Sequence, residues 1–209
     1  MSGDYSRKRF NPEKHYQGVL RQQGRVDLDA DWNEYVDLQD RRWRAETIDV
    51  VGRSGVPDET PDGFKIAVSG GELTVGQGRM YVDGYVAENH GTAPAFEPTL
   101  EEGYGTAALP VKNQPYGGPV TVPAQVRSLV YLDVWRREVT HLQAPDLIEP
   151  AVNVDSTTRY QTAWQVRVLA NIPPDITCDT PLSDIPGWPT GNRSSSARLT
   201  TTTVAVTRE

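Results

Sequence analysis

The sequence predicts a mainly β, α+β fold: an N-terminal irregular arm and one amphipathic helix, then an antiparallel β domain with long Gly/Pro-rich loops. Three observations predict it. Segments that alternate apolar and polar residues recur from Phe64 onward. Turn formers are abundant, with 18 Gly and 16 Pro in 209 residues, which favours short strands joined by many turns. Only one stretch, residues 29–51, carries both start and stop signals for a helix.

Residues 1–26 read as the arm. Arg7, Lys8, Arg9 and Lys14 are basic, Phe10, Tyr16, Val19 and Leu20 are candidates for burial, and Gly18 and Gly24 break any regular element. The helix follows. Asp27 or Asp29 is the expected N-cap, its carboxylate accepting orphan backbone N–H bonds. Asp29 and Asp31 sit where the helix dipole favours negative charge. Gly52 and Gly55 supply the stop. Trp32, Tyr35, Val36, Trp43 and Val50 share one face, interrupted by Gln39 and Glu46. Such an imperfect stripe suits covering a sheet or another chain better than building a dry coiled coil.

Strands follow. "FKIAV" (64–68) alternates, and "GELTVGQGRMYVDGYVAE" (71–88) reads as strand, turn, strand, turn, strand. Gly76 and Gly78 bracket one expected tight hairpin turn, and Asp83-Gly84 is a strong signal for another. Residues 89–125 and 171–197 read as loops. Residues 126–139, 159–170 and 197–206 read as further strands, the last rich in threonine, which suits a half-exposed pleated surface. The expected division is an arm-and-helix assembly module over residues 1–55 and a β domain over residues 56–209.

The charge balance and the motifs narrow the function. A net charge of −7 gives no global pull toward nucleic acid or an anionic membrane. The N-terminus has no apolar run of the signal-peptide kind, and no stretch approaches the roughly 20 apolar residues of a spanning helix. The single cysteine, Cys178, permits no internal disulfide and no multi-cysteine zinc site. The alternating Asp27, Asp29 and Asp31 start a calcium-loop pattern, but the glycine expected sixth is Trp32 and the carboxylate expected twelfth is Leu38. A helix start is the better reading, and no metal or cofactor is expected. "GQGRMY" lacks the third glycine and the helix of a dinucleotide fingerprint. His15, His90 and His141 lie far apart in sequence, and no nucleophile or zinc-protease motif occurs. "RRWR" (Arg41 to Arg44) reads as a solvated, salt-bridged helix face.

Three blocks together carry a resemblance. They are "KHYQGVLRQQGRVDLDADWNEYVD", "GELTVGQGRMYVDGYVAEN", and "VYLDVWRREVTHLQAPDLIEPAV" followed by "DSTTRYQTAWQVRVL". The chain resembles an uncharacterised bacterial family whose N-terminal module opens with the signature KHYxGVxxQQGRVxLDADWNE and accompanies phage-tail-like contractile injection systems. A looser likeness is to N-terminal modules of phage tail-fibre and baseplate proteins, through Gly24, Arg25, Leu28, Ala30 and Asn33, then Gly76, Gly78, Tyr81, Val82, Gly84 and Val86. The resemblance implies a non-enzymatic structural or attachment role in the particle, as a baseplate or fibre component. It also implies a homo-oligomer, with a trimer favoured, assembled in the bacterial cytoplasm and carried in a particle that can be released. Its partners would be other subunits of that particle, not nucleic acid or membrane, and the native protein would continue past Glu209. Tyr16, Arg25, Trp32, Tyr35, Trp43 and Arg44 are the expected interface residues, since aromatics and Arg are enriched at interface hot spots. The alternative is a carbohydrate- or surface-binding module, with Trp188, Tyr104 and Tyr116 in loops stacking on sugar rings. A hydrolase with a site dispersed in the long loops is the third reading, and no assembled acid–base pair supports it.

Overall fold

The structure is a computed structural model, and it describes residues 3–69, 72–92, 107–118, 120, 123, 126–177, 180–188 and 198–206. The described residues are mainly β, with antiparallel sheets and one α-helix. The chain forms two compact units. The first comprises residues 1–50 and 137–161, and the second residues 51–136 and 162–209.

In the first unit, the arm makes a single 3-10 turn at Pro12–Lys14, capped by the Asn11 side chain. Helix α1 spans Asp29–Val51, and Gly52 follows it at a positive φ of 90°. The same unit holds the small hairpin of β8 (Ile148–Glu149) and β9 (Val154–Asp155). Residues 137–161 lie about a hundred positions from the arm in sequence and still fold with it. A compact unit is defined by contacts and not by chain order.

In the second unit, β1 (Ser54–Gly55), β4 (Gly78–Val82) and β5 (Tyr85–Asn89) form one sheet in the order β1-β4-β5. Strands β2 (Ile66–Ser69), β3 (Glu72–Val75) and β6 (Leu109–Pro110) form another, in the order β2-β3-β6. The third sheet takes the two long strands β7 (Ser128–Val139) and β10 (Arg159–Ala170) with β11 (Arg198–Val206), ordered β10-β7-β11. The last residues of β7 and the first of β10 belong to the first unit. Strand alternation is plain in β4 and β5, whose even-numbered and odd-numbered positions respectively point into the core.

The main core gathers Phe64, Val75, Met80, Val82, Val111, Val130, Val134, Trp164 and Val166. Trp164 meets Phe64 edge to face at a centroid distance of 5.0 Å, and its indole N–H donates to the Glu88 carbonyl at 2.7 Å. A second, smaller cluster joins Leu129, Ile172, Ile176 and Ile185.

The Asp83-Gly84 turn has both central residues at positive φ, 50° and 84°, the backbone of a tight hairpin between β4 and β5. The Gly76–Gly78 turn differs from expectation. It does not close a hairpin, because β3 and β4 belong to different sheets. It is a corner. The Asp62–Lys65 turn lies against it, with Phe64 N–H donating to the Gly76 carbonyl at 3.0 Å and Gly76 N–H to the Lys65 carbonyl at 2.8 Å. Gly78 has φ 129°, and a Cβ there would press on Thr60 and Gly63. Sequence spacing marks a turn but not the sheet each flanking strand enters.

Candidate functional site: the arm and the outer face of α1

The three aspartates that open α1 each hold a different point of the arm. Asp27 pairs with Arg21 at 3.2 Å. Asp29 accepts from the Ser6 backbone N–H at 2.8 Å and from the Ser6 hydroxyl at 2.6 Å. Asp31 pairs with Arg9. The side-chain bond from Ser6, then its backbone bond, holds the Asp29 carboxyl below the usual carboxylate value, with the Ala30 and Asp29 amides adding to it.

This corrects the expected cap. Neither Asp27 nor Asp29 is the N-cap. Leu28 occupies the position before the helix, and its carbonyl accepts from Asp31 N–H at 3.1 Å and Trp32 N–H at 3.3 Å. Asp29 is the first helical residue, and its side chain is committed to Ser6 from 23 positions away. A local rule for caps competes here with a tertiary contact, and the contact wins. Among the described residues no group of three or more His, Cys, Asp or Glu is gathered as a metal site.

The arm is fixed at a second point. Tyr5 Oη donates to Glu138 and lies 2.5 Å from Thr158 Oγ1, and Gly3 N–H donates to the same Glu138 carboxylate. Burial, then the hydrogen bond to Glu138, pushes the Tyr5 phenol above its ordinary value.

Around these anchors the arm and α1 leave a groove of about 780 Å³. Its apolar walls are Val19, Leu20, Val26 and Leu28 from the lead-in and Trp32 and Tyr35 from the helix. Arg9, Arg21 and Arg25 bring charge to it. Two of these arginines are neutralised by Asp31 and Asp27. Arg25 is exposed and makes no ion pair among the described residues. Trp32 is also a wall of a second cleft of about 250 Å³, shared with Tyr5, Lys8, Asp37 and Thr158.

The helix directs its largest apolar groups outward. At about 100° per residue, Trp32, Trp43 and Val50 fall within about 20° of one line along α1. They are 60%, 66% and 81% exposed. The buried residues of α1 are Ala30 and Leu38, which lie about 160° and about 120° round from Trp32 by the same geometry. So α1 buries Ala30 and Leu38 and turns its tryptophans to solvent. Tyr35 stands beside Trp32 at a ring distance of 6.1 Å.

Of the expected interface residues, Tyr16, Arg25, Trp32, Tyr35 and Trp43 are exposed, and Arg44 is half-buried. Trp32, Tyr35 and Arg25 meet at the groove. Tyr16 stands under the Lys14 ammonium, 5.8 Å from the ring centre. Of the expected sugar-stacking residues, Tyr116 and Trp188 pack on different clusters. Tyr116 packs on the main core and meets Trp135 edge to face at 6.3 Å. Trp188 is half-buried on the smaller cluster, 4.8 Å from the Tyr131 ring. Tyr104 and Cys178 lie outside the described residues. Tyr16 and Leu20, expected to be buried, are exposed instead, because the irregular arm has no regular face to pack against a core. Sequence reasoning missed Val26 and Leu28, which are exposed with Leu20 as one apolar set.

No helix among the described residues is long and apolar enough to cross a membrane. No curated protein and no solved structure matches the chain. Residues 1–185 match the profile of DUF6519, a family of unknown function, so the arm, α1 and all of the sheets except β11 fall within the match, and the chain belongs to that family.

Proposed function

We propose that this chain is a non-enzymatic structural component of a phage-tail-like contractile injection particle, a baseplate or fibre-attachment subunit whose arm and α1 meet neighbouring subunits. The observation that carries the reading is the outward line of Trp32, Trp43 and Val50 on α1. A helix that buries only Ala30 and Leu38 and turns two tryptophans and a valine to solvent is arranged for a partner, because exposed large apolar groups gathered on one side mark interaction surfaces. The block from Lys14 to Asp37, which carries the resemblance to such particles, builds most of the groove and supplies Trp32 to this face. The groove's carboxylates, Asp27 and Asp31, are each engaged by an arginine and not by one another, which suits a scaffold better than acid–base chemistry. Closed cyclic symmetry is the usual state of such assemblies, with a trimer favoured for fibre attachment.

The test is to purify the tagged chain from producing cells, sediment the particles and locate the chain by cryo-EM. Light scattering on the free chain gives its mass. A monodisperse monomer that does not sediment with any particle would overturn the reading.

A further inference from the structure

We propose that the groove beside α1 receives the β8–β9 hairpin of a second copy of this chain, joining copies head to tail. The inference rests on the assembly reading above and names the partner of its surface.

Two sets of exposed apolar side chains lie on the first unit, in opposite electrostatic surroundings. In the groove, Leu20 is 91% and Val26 85% exposed beside Trp32. With its two Arg–Asp pairs cancelling, the charge left over is that of Arg25. Val152 and Val154 on the hairpin, and Leu142 in the turn after β7, are all more than half exposed. The segment that carries them, residues 140–155, contains Asp146, Glu149 and Asp155 and no Lys or Arg. A cationic apolar groove and an acidic apolar tip are complementary. Joining them removes both apolar sets from water and sets an acidic tip against Arg25.

The tip is already shaped. Strands β8 and β9 pair Ile148 with Asp155 and Glu149 with Val154. The Glu149 carbonyl accepts from Val152 N–H at 3.2 Å and Asn153 N–H at 2.8 Å, and Asn153 turns the chain with φ 55°. His141 Nδ1 lies 2.6 Å from Asp155, bringing Leu142 alongside. A preformed element loses little conformational freedom on docking. By contrast, pairing two α1 stripes in register would bring together Gln39 and Glu46, which lie within about 40° of Trp32 at 100° per residue. Because groove and tip are different surfaces of one chain, their contact is heterologous, and it repeats into a ring where the rotation between copies closes and into a filament where it does not.

The experiment uses the full chain, light scattering over a concentration series, and two sets of variants at exposed positions. Trp32→Glu blocks the groove, and Val152→Glu with Val154→Glu blocks the tip. Circular dichroism checks that each variant is folded. The wild type should reach a mass of several chains, and each variant alone should stay monomeric. An equimolar mixture of the two should form a species of two chains and nothing larger, since one intact groove meets one intact tip. Arg25→Glu should weaken self-association by about tenfold or more. A wild type that remains monomeric at every concentration overturns the proposal, as does a mixture that stays monomeric. An oligomer that survives the hairpin substitutions removes this contact and leaves the broader assembly reading standing.

Discussion

Gln114 closes the open edge of the β10-β7-β11 sheet with a side chain. Strand β10 is an edge strand, and the backbone groups of its Val166, a residue only 1% exposed, cannot turn to water. The Gln114 carboxamide takes the place of a neighbouring strand. Its oxygen accepts from Val166 N–H at 2.8 Å, and its nitrogen donates to the Gly118 carbonyl at 3.2 Å and the Val166 carbonyl at 3.4 Å. Gln114→Leu keeps the size and removes all three bonds. Leaving a buried N–H without an acceptor costs about 1–3 kcal/mol. Loss of the longer bonds adds about 0.5–1 kcal/mol, and the buried leucine returns about 1 kcal/mol. The net loss is about 2 kcal/mol, or roughly 4–8 °C in Tm for a chain of this size. Urea unfolding with an unchanged slope should read the same difference. A variant within about 0.5 kcal/mol of wild type would refute the plug. Gln114→Glu is a second check. It keeps an acceptor for Val166 N–H but sets a carboxylate against two carbonyls, so it should be less stable at neutral pH than in acid, where the protonated group donates again.

The arm should stay docked across the neutral range and loosen at both pH extremes. The lowered Asp29 value stabilises the docked arm fully above the ordinary 3.8, and this contribution is lost as pH falls through the lower folded value. The raised Tyr5 value contributes fully below the ordinary 10.0 and is lost as pH rises through the higher folded value. Carboxyl NMR of Asp29 should show a low midpoint that rises toward the ordinary value in Ser6→Ala, which loses the hydroxyl bond and keeps the backbone one, and no change on that substitution would count against the contact. Tyrosine absorbance should show one late-titrating phenol that Tyr5→Phe removes, and its persistence in that variant would assign it elsewhere. Gly78→Ala should cost about 2 kcal/mol or more, from a positive φ that an L residue resists and from the pressure on Thr60 and Gly63. Chemical denaturation reads it, and a neutral result would mean that the corner relaxes freely.

Much of the fold is written locally in the sequence. The extent of α1, Asp29–Val51, follows from an apolar period of helical type and from Gly52. Strand β10, Arg159–Ala170, and the Asp83-Gly84 hairpin follow from alternation and from a dipeptide that accepts positive φ. These features depend on neighbours within a few residues, so the sequence itself determines them. The candidate interface was legible in part, because exposed aromatics on an imperfect stripe are visible as a pattern.

The tertiary structure decided what depends on distant partners. Asp29 reads as a cap, and only the arrival of Ser6 makes it an anchor for the arm. Gly76 and Gly78 read as a hairpin turn, and only sheet membership makes them a corner. Trp188 reads as a loop aromatic open to a ligand, and packing against Tyr131 and the isoleucine cluster gives its ring an inward role. Residues 137–161 read as part of the β domain, and their contacts place them with the arm. In each case the local pattern fixes a backbone shape at little cost. Which side chain then satisfies a carboxylate, a carbonyl or an aromatic face depends on chain segments tens of residues away, and no local pattern encodes that choice.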